Sequence, residues 1–467
     1  MRDGGAVTEP AAVQPESRTK ATTNPPAVEA LLIRTAAPLE LRMELRRSIE
    51  RCGSISGGFD TLQPNSRSGR ARPATVILLS AVLLVSGCAS GDAATQAVHP
   101  SPLATFAGAT LALTGGTLVD GTGGPAIADA VVLVAGNRIL AVGSADQIRV
   151  PDGVRTIDLA GSTILPGFVN AHVHRGFSDA NLRAWAAGGV TTVRDESTSP
   201  GQVAGLRELL AGANGDPRLA RLVSAGSMLA VPGGYGDLTV GSTEAALEAV
   251  DREIDQGAGA VKVALEDGYD GQHDLPKPSA EFLRAVVERA HSRGVPVSGH
   301  VTQAAYVPAL LEAGIDDIAH VPYDPIPDAV LREMAEKNVY LVPTFTVFRN
   351  YGADVDGCME NVRRFHELGG KIALGNDYGG GPGEFEQGIP MYEVEMLSRA
   401  GLTPAEVVEA STRNGARVLR LDDEIGTIEP GKAADIVVVG GDALADLQAL
   451  RNVRVVIHAG AVIRPDA

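Results

Sequence analysis

The sequence predicts an α/β protein: a (β/α)8 TIM barrel inserted in a small all-β sandwich domain built from both chain ends. Three patterns predict it. Between Pro166 and about Leu421, short apolar runs alternate with helical stretches, the runs falling at residues 164–171, 190–193, 222–225, 260–265, 295–298, 315–320, 340–344 and 372–375. That is the set of strands a closed parallel barrel needs. Residues 111–164 instead carry β-branched runs such as Val131-Val132-Leu133-Val134, cut by turn residues at Gly115-Gly116 and Gly136-Asn137. After the helix that follows Leu402-Thr403-Pro404, β pattern returns at residues 435–439 and 453–463, with a hairpin at Ala459-Gly460. No barrel strand is left to form there, so these segments should join the N-terminal ones.

The domain boundaries follow: 1–87 as an upstream extension with an export signal, 88–108 as a tether, 109–164 plus 422–467 as the β domain, and 165–421 as the barrel. A content of 44% hydrophobic and 21% charged residues is enough to bury a large core. The formal charge of -17 excludes nucleic acid and bare anionic membrane as partners, because both would be repelled. The cluster Gly121 to Gly124 precedes no helical pattern and reads as a turn, not a phosphate loop. One helix shows the local logic: Ser279 caps the first turn, Phe282, Leu283, Val286 and Val287 form an apolar stripe, and Gly294 ends it.

Residues 74–88, ATVILLSAVLLVSGC, follow Arg67, Arg70 and Arg72 and read as a signal peptide. The apolar stretch is too short for the roughly 20 residues of a spanning helix. Its end, Val85-Ser86-Gly87-Cys88, resembles the bacterial lipobox, which implies lipidation of Cys88 and an exported protein held to a membrane only through that lipid. A start codon placed too far upstream explains why the signal begins so late. Cys52 lies in the removed stretch and Cys358 is then left alone, so no intramolecular disulfide is expected. Homo-oligomerisation stays open.

Among the nine histidines, His99, His273, His291, His366 and His458 fall in the tether, loops, helices or beside a turn and read as solvated. His172, His174, His300 and His320 all end predicted barrel strands, where active sites of such barrels assemble. His172 and His174 stand at i and i+2, so a strand points both to one side. Lys262 lies inside the apolar run 260–265, where an unpaired ammonium would be costly. Asp377 ends a strand between Gly375 and Gly379.

These residues sit in motifs that resemble the amidohydrolase superfamily, in its imidazolonepropionase-like and prolidase-like branch. LPGFVNAHVH at 165–174 is similar to its first-strand signature, AGAVKV at 258–263 to its fourth-strand segment, VSGH at 297–300 to its fifth and IDDIAH at 315–320 to its sixth. Gly375-Asn376-Asp377 is similar to its eighth, where Thr is commoner than Asn376, and GTIEPGKAADIV at 426–437 to the return into the β domain. The resemblance implies two divalent metal ions, zinc or similar rather than calcium, bridged by Lys262 carboxylated with carbon dioxide. His172, His174, Lys262 and Asp377 would hold the first ion, and His300, His320 and Lys262 the second, with Asp377 moving the proton during hydrolysis of an amide or peptide-like C-N bond.

Relatives of this kind are prolidase-like dipeptidases or act on N-acyl amino acids. A small-molecule substrate would meet Tyr235, Tyr323 and Arg349 on the loops. One alternative is a mononuclear cyclic amide hydrolase or deaminase, against which stands the lack of a carboxylate in Val301-Thr302-Gln303 after the fifth-strand histidine. The other is a non-catalytic metal-binding lipoprotein, against which stands the full set of ligands.

Overall fold

The structure, a computed structural model, describes residues 103–268, 274–350, 352, 354–379 and 387–464. The export signal, Cys52, Cys88, His99 and His273 lie outside the described residues.

The two ends of the chain meet in one sheet. Strands Leu111–Leu118, Ile127–Ala135, Arg138–Ser144, Arg155–Asp158 and Ser162–Pro166 are joined by Ile436–Gly440, Val453–His458 and Ala461–Arg464 in an eight-stranded mixed sheet. The junction is antiparallel, with Val437 opposite Leu165. The expected sandwich of two sheets is not confirmed: besides this sheet, the described β segments form only a two-stranded one, Ala104–Thr105 with Ile148–Arg149. Leu111–Leu118 runs parallel to Arg155–Asp158 along its first half and to Ser162–Pro166 along its second, with register shifts around Gly116. Gly115, at φ +79°, turns the strand between the two pairings. Both limbs then cover one apolar cluster that includes Leu113, Val132, Val438 and Val455.

Gly167 marks the passage into the barrel-type part, because a Cβ there would meet Thr191 Oγ1 at 2.1 Å. All the expected parallel strands form: Phe168–Val173, Val190–Asp195, Arg221–Ser224, Val261–Ala264, Val297–His300, Asp317–Ala319, Tyr340–Val342 and Lys371–Ile372. They fall in two parallel sheets and not in one continuous ring. The short strand Leu229–Ala230 takes the edge of the fourth strand by pairing with Val263, which the third strand would otherwise occupy. Below that wedge, Gly259 N still donates to Ser224 O at 2.9 Å. On the opposite side, Ala171 N donates to Leu374 O at 2.8 Å and Asp377 N to His172 O at 2.9 Å, so the last strand lies against the first.

The helix Ala280–Ser292 forms as its sequence dictates: the Ser279 side chain accepts from Phe282 N, the Phe282, Leu283, Val286 and Val287 stripe is buried, and Gly294 follows at φ +76°. The hairpin Val453–His458 to Ala461–Arg464 also forms. The last residue of its first strand corrects one expectation. His458 is buried, not solvated, because the strand end packs against the barrel-type part and Nδ1 lies 2.9 Å from Pro217 O. Cys358 is fully buried with no disulfide, and burial pushes its thiol up to about 12.

Candidate metal centre

The C-terminal ends of the parallel strands bring the histidines and Asp377 together. His172 Nε2 and His174 Nε2 lie 3.3 and 3.0 Å from Asp377 Oδ1, and His320 Nδ1 lies 3.9 Å from Asp377 Oδ2. The His172 and His320 rings are 4.7 Å apart by centroid, as are His300 and His320. Among the described residues, one trio offers donor atoms that all fall within 4.8 Å of one another: His172, His320 and Asp377. In this trio His320, not His174, completes the group with His172 and Asp377. His174 sits further out on the same strand, with a third of its side chain exposed.

The backbone is bent to make this arrangement. His320, Thr344 and Asp377 occupy the left-handed region at φ +78°, +54° and +53°. Each such non-glycine residue costs on the order of 1 kcal/mol or more, and a β-branched threonine there is a true outlier. Asn376 explains its own departure from the motif, since its Oδ1 accepts from Asn170 Nδ2 at 2.8 Å and ties the eighth strand to the first. His172 Nδ1 and His300 Nε2 are buried without a hydrogen-bond partner, as a ligand-ready donor set requires.

Lys262 is placed differently from the expectation that made carboxylation attractive. Its ammonium is not unpaired: Nζ lies 2.6 Å from Glu196 Oε2, a fully buried carboxylate on the second strand's end. Burial, with the charge of Lys262 adding to it, pushes His172, His300 and His320 down. Glu196 also contacts Arg194, whose guanidinium is bidentate to Asp317 at 2.8 and 2.9 Å. Burial alone would push Glu196 up, but Arg194 and Lys262 hold it down to about 2. The sequence signal for this network was present in Val190 to Glu196, where charged residues interrupt an apolar strand.

A second carboxylate was also missed. Glu266, just past the fourth strand, is buried with Oε2 at 3.7 Å from His300 Nε2 and bonded to the Thr302 amide at 3.2 Å. The stretch after His300 does lack an acid, yet the fold delivers one from the neighbouring strand. Of the loop candidates, Tyr235 stacks on His300 at 4.6 Å, and the Tyr323 amide bonds Thr302 O. Arg349 is turned onto the Tyr392 ring at 3.9 Å.

Residues 163–463 match the amidohydrolase family. The chain belongs to the amidohydrolase family. It is 27% identical over 360 residues to an imidazolonepropionase of Streptomyces griseus subsp. griseus, covering 69% of this chain and 88% of the relative. It is also 27% identical over 384 residues to a 5-methylthioadenosine/S-adenosylhomocysteine deaminase of Natronomonas pharaonis, covering 72% and 85%. Among solved structures, a Xaa-Pro dipeptidase with bound methionine superposes with a TM-score of 0.67 at 25% identity, covering 75% of this chain and 99% of that one. This amidohydrolase is therefore a hydrolase of carbon-nitrogen bonds in the imidazolonepropionase-like and prolidase-like branch.

Its titration has a defined sign. Burial works against a charge on His174, but the hydrogen bond and charge of Asp377 raise it from 6.5 to about 9. The proton on His174 thus stabilises the metal-free fold fully below about pH 6.5, and that contribution fades as pH rises through about 9. A metal ion binding through His174 would have to displace this proton. Calorimetric titration with zinc at pH 7.5, in buffers of different ionisation enthalpy, is expected to show about one proton released per chain from this group. Release that does not diminish above pH 9 would contradict the assignment.

Proposed function

We propose that this amidohydrolase cleaves an amide or peptide-like C-N bond of a small-molecule substrate at a metal centre held by His172, His174, His300, His320 and Asp377. The observation that carries the reading is the convergence of the His172, His320 and Asp377 donors within 4.8 Å at the mouth of the parallel strands. Imidazole nitrogens with a carboxylate form a mixed N/O set that fits zinc or a similar ion, and the orphaned buried nitrogens of His172 and His300 fit it as well.

Held by these residues, a divalent ion would supply Lewis acidity, making a water more acidic and polarising the scissile carbonyl. Asp377 does the proton work. Burial pushes its carboxyl up, but His172 and His174 hold it well below 3.8, so it is an acceptor. It takes the proton of the attacking water and passes it to the leaving nitrogen. Tyr235, stacked on His300, walls the substrate side. Dipeptides of the prolidase type and N-acyl amino acids are the substrates we favour.

A two-metal form would be held by Lys262 as its carbamate together with the histidines and Asp377, and the contact of Lys262 with Glu196 would have to give way to it. A second reading, a mononuclear hydrolase or deaminase of a cyclic substrate, is favoured by Glu266 beside His300. Metal analysis of the purified protein with and without bicarbonate separates them. Two ions per chain, both dependent on bicarbonate and reduced in Lys262→Ala, support the bridged form. One ion, unchanged in Lys262→Ala, supports the mononuclear form. Turnover of lactones alone, in a screen that also holds dipeptides, N-acyl amino acids and lactams, would overturn the C-N assignment.

A further inference from the structure

Glu393 has no part in the chemistry above, yet it is a buried carboxylate, and burial pushes it up to about 7. Such a group is kept at a cost unless its contacts have a use. It stands on the helix Met391–Arg399 and receives three hydrogen bonds from one short segment after the seventh strand. Oε2 accepts from Phe345 N at 3.1 Å, and Oε1 accepts from Thr346 N at 2.5 Å and Thr346 Oγ1 at 2.6 Å. These amides open the helix Phe345–Asn350, whose first N–H groups need acceptors from outside it.

The residue just before these amides is Thr344, fully buried and held at φ +54°. Its hydroxyl lies 2.7 Å from His320 Nδ1. A β-branched residue relaxes from that conformation unless its neighbours fix it, and the two amides fixed by Glu393 are the next two in the chain. The tautomer of a ligating histidine is set by the bond its other nitrogen makes. A donor at Nδ1, with Thr344 Oγ1 accepting, is the arrangement that leaves Nε2 its lone pair.

We propose that Glu393 is a positioning residue for the metal centre: it clamps the Thr344 to Thr346 turn so that Thr344 orients His320 with Nε2 free for the ion. The inference rests on the metal-centre reading above. Zinc affinity of the full chain, measured by competition with a chromogenic chelator, tests it together with nitrogen NMR of histidine-labelled, metal-free protein. Thr344→Val and Glu393→Gln should each weaken zinc binding by about 10- to 100-fold and should turn the single His320 tautomer into a mixture. Thr344→Ser should restore both. The double variant should bind no more weakly than Thr344→Val alone, because both changes break one chain of contacts.

Glu393→Gln with wild-type zinc affinity and an unchanged His320 signal would overturn the role, as would full additivity in the double variant. If Glu393→Gln does not fold, Thr346→Val removes one of the three bonds, and an unchanged affinity there overturns it equally. Wild type, Glu393→Gln and Thr344→Val binding zinc alike defeats this inference alone. A wild-type protein that binds no zinc defeats the metal centre, and the positioning role with it.

Discussion

Asp377→Asn is expected to lower kcat and kcat/KM together by about 10²- to 10⁴-fold, the usual range for losing a general acid-base group. The change keeps the shape of the side chain, and asparagine tolerates the left-handed backbone that Asp377 occupies at φ +53°. What it removes is the negative charge shared by His172 and His174 at 3.3 and 3.0 Å. The two imidazoles then lose the anion that now offsets their burial, and zinc affinity should fall as well. Excess zinc restores occupancy but cannot restore a proton acceptor, so the rate stays low at saturating metal. The check is a kcat measured at several zinc concentrations. Turnover that recovers fully with added zinc would make Asp377 a ligand only.

How far the sequence foretold this site depends on which residue is asked about. The histidines and Asp377 were legible because each ends an apolar run, and strand ends of one hand must share one face of the fold. The same logic recovered each parallel strand expected of the barrel. It could not foresee Leu229–Ala230, a two-residue strand too short to leave a pattern, whose pairing with Val263 divides the parallel strands into two sheets. Nor could it foresee Glu266 beside His300, because contact between neighbouring strands depends on register, which spacing along one strand does not encode. Lys262 was read correctly as buried, but the carboxylate that pairs with it was not foreseen. Its partner, Glu196, lies 66 positions away, and only the barrel-type packing sets them side by side. The arrangement of the β domain was hidden for a similar reason: strand composition says nothing of the bend at Gly115 that joins both limbs of the sheet.

Arg194→Leu is expected to destabilise the protein by roughly 3–5 kcal/mol, the cost of breaking a buried charge pair from one side. The guanidinium is fully buried, gives two bonds to Asp317 and one from Nε to Ala171 O at 2.8 Å, and touches Glu196. Burial disfavours its charge, yet Asp317 and Glu196 outweigh that and raise its pKa. Leucine would leave Asp317 with Ser298 Oγ at 2.9 Å as its nearest donor, and Glu196 with Lys262 alone. Arg194→Lys keeps the charge but loses the fork geometry, so it should fall between the two. Replacing both partners, Arg194→Leu with Asp317→Leu, should recover part of the loss, since an apolar pair leaves no orphaned charge. Denaturant midpoints of the metal-free protein give the comparison, and a loss under about 1 kcal/mol in Arg194→Leu would mean that the network is worth no more than an exposed ion pair. Zinc affinity should decline in parallel, because Arg194 joins the first, second and sixth strands directly beneath the histidines and, through Glu196, reaches Lys262 on the fourth.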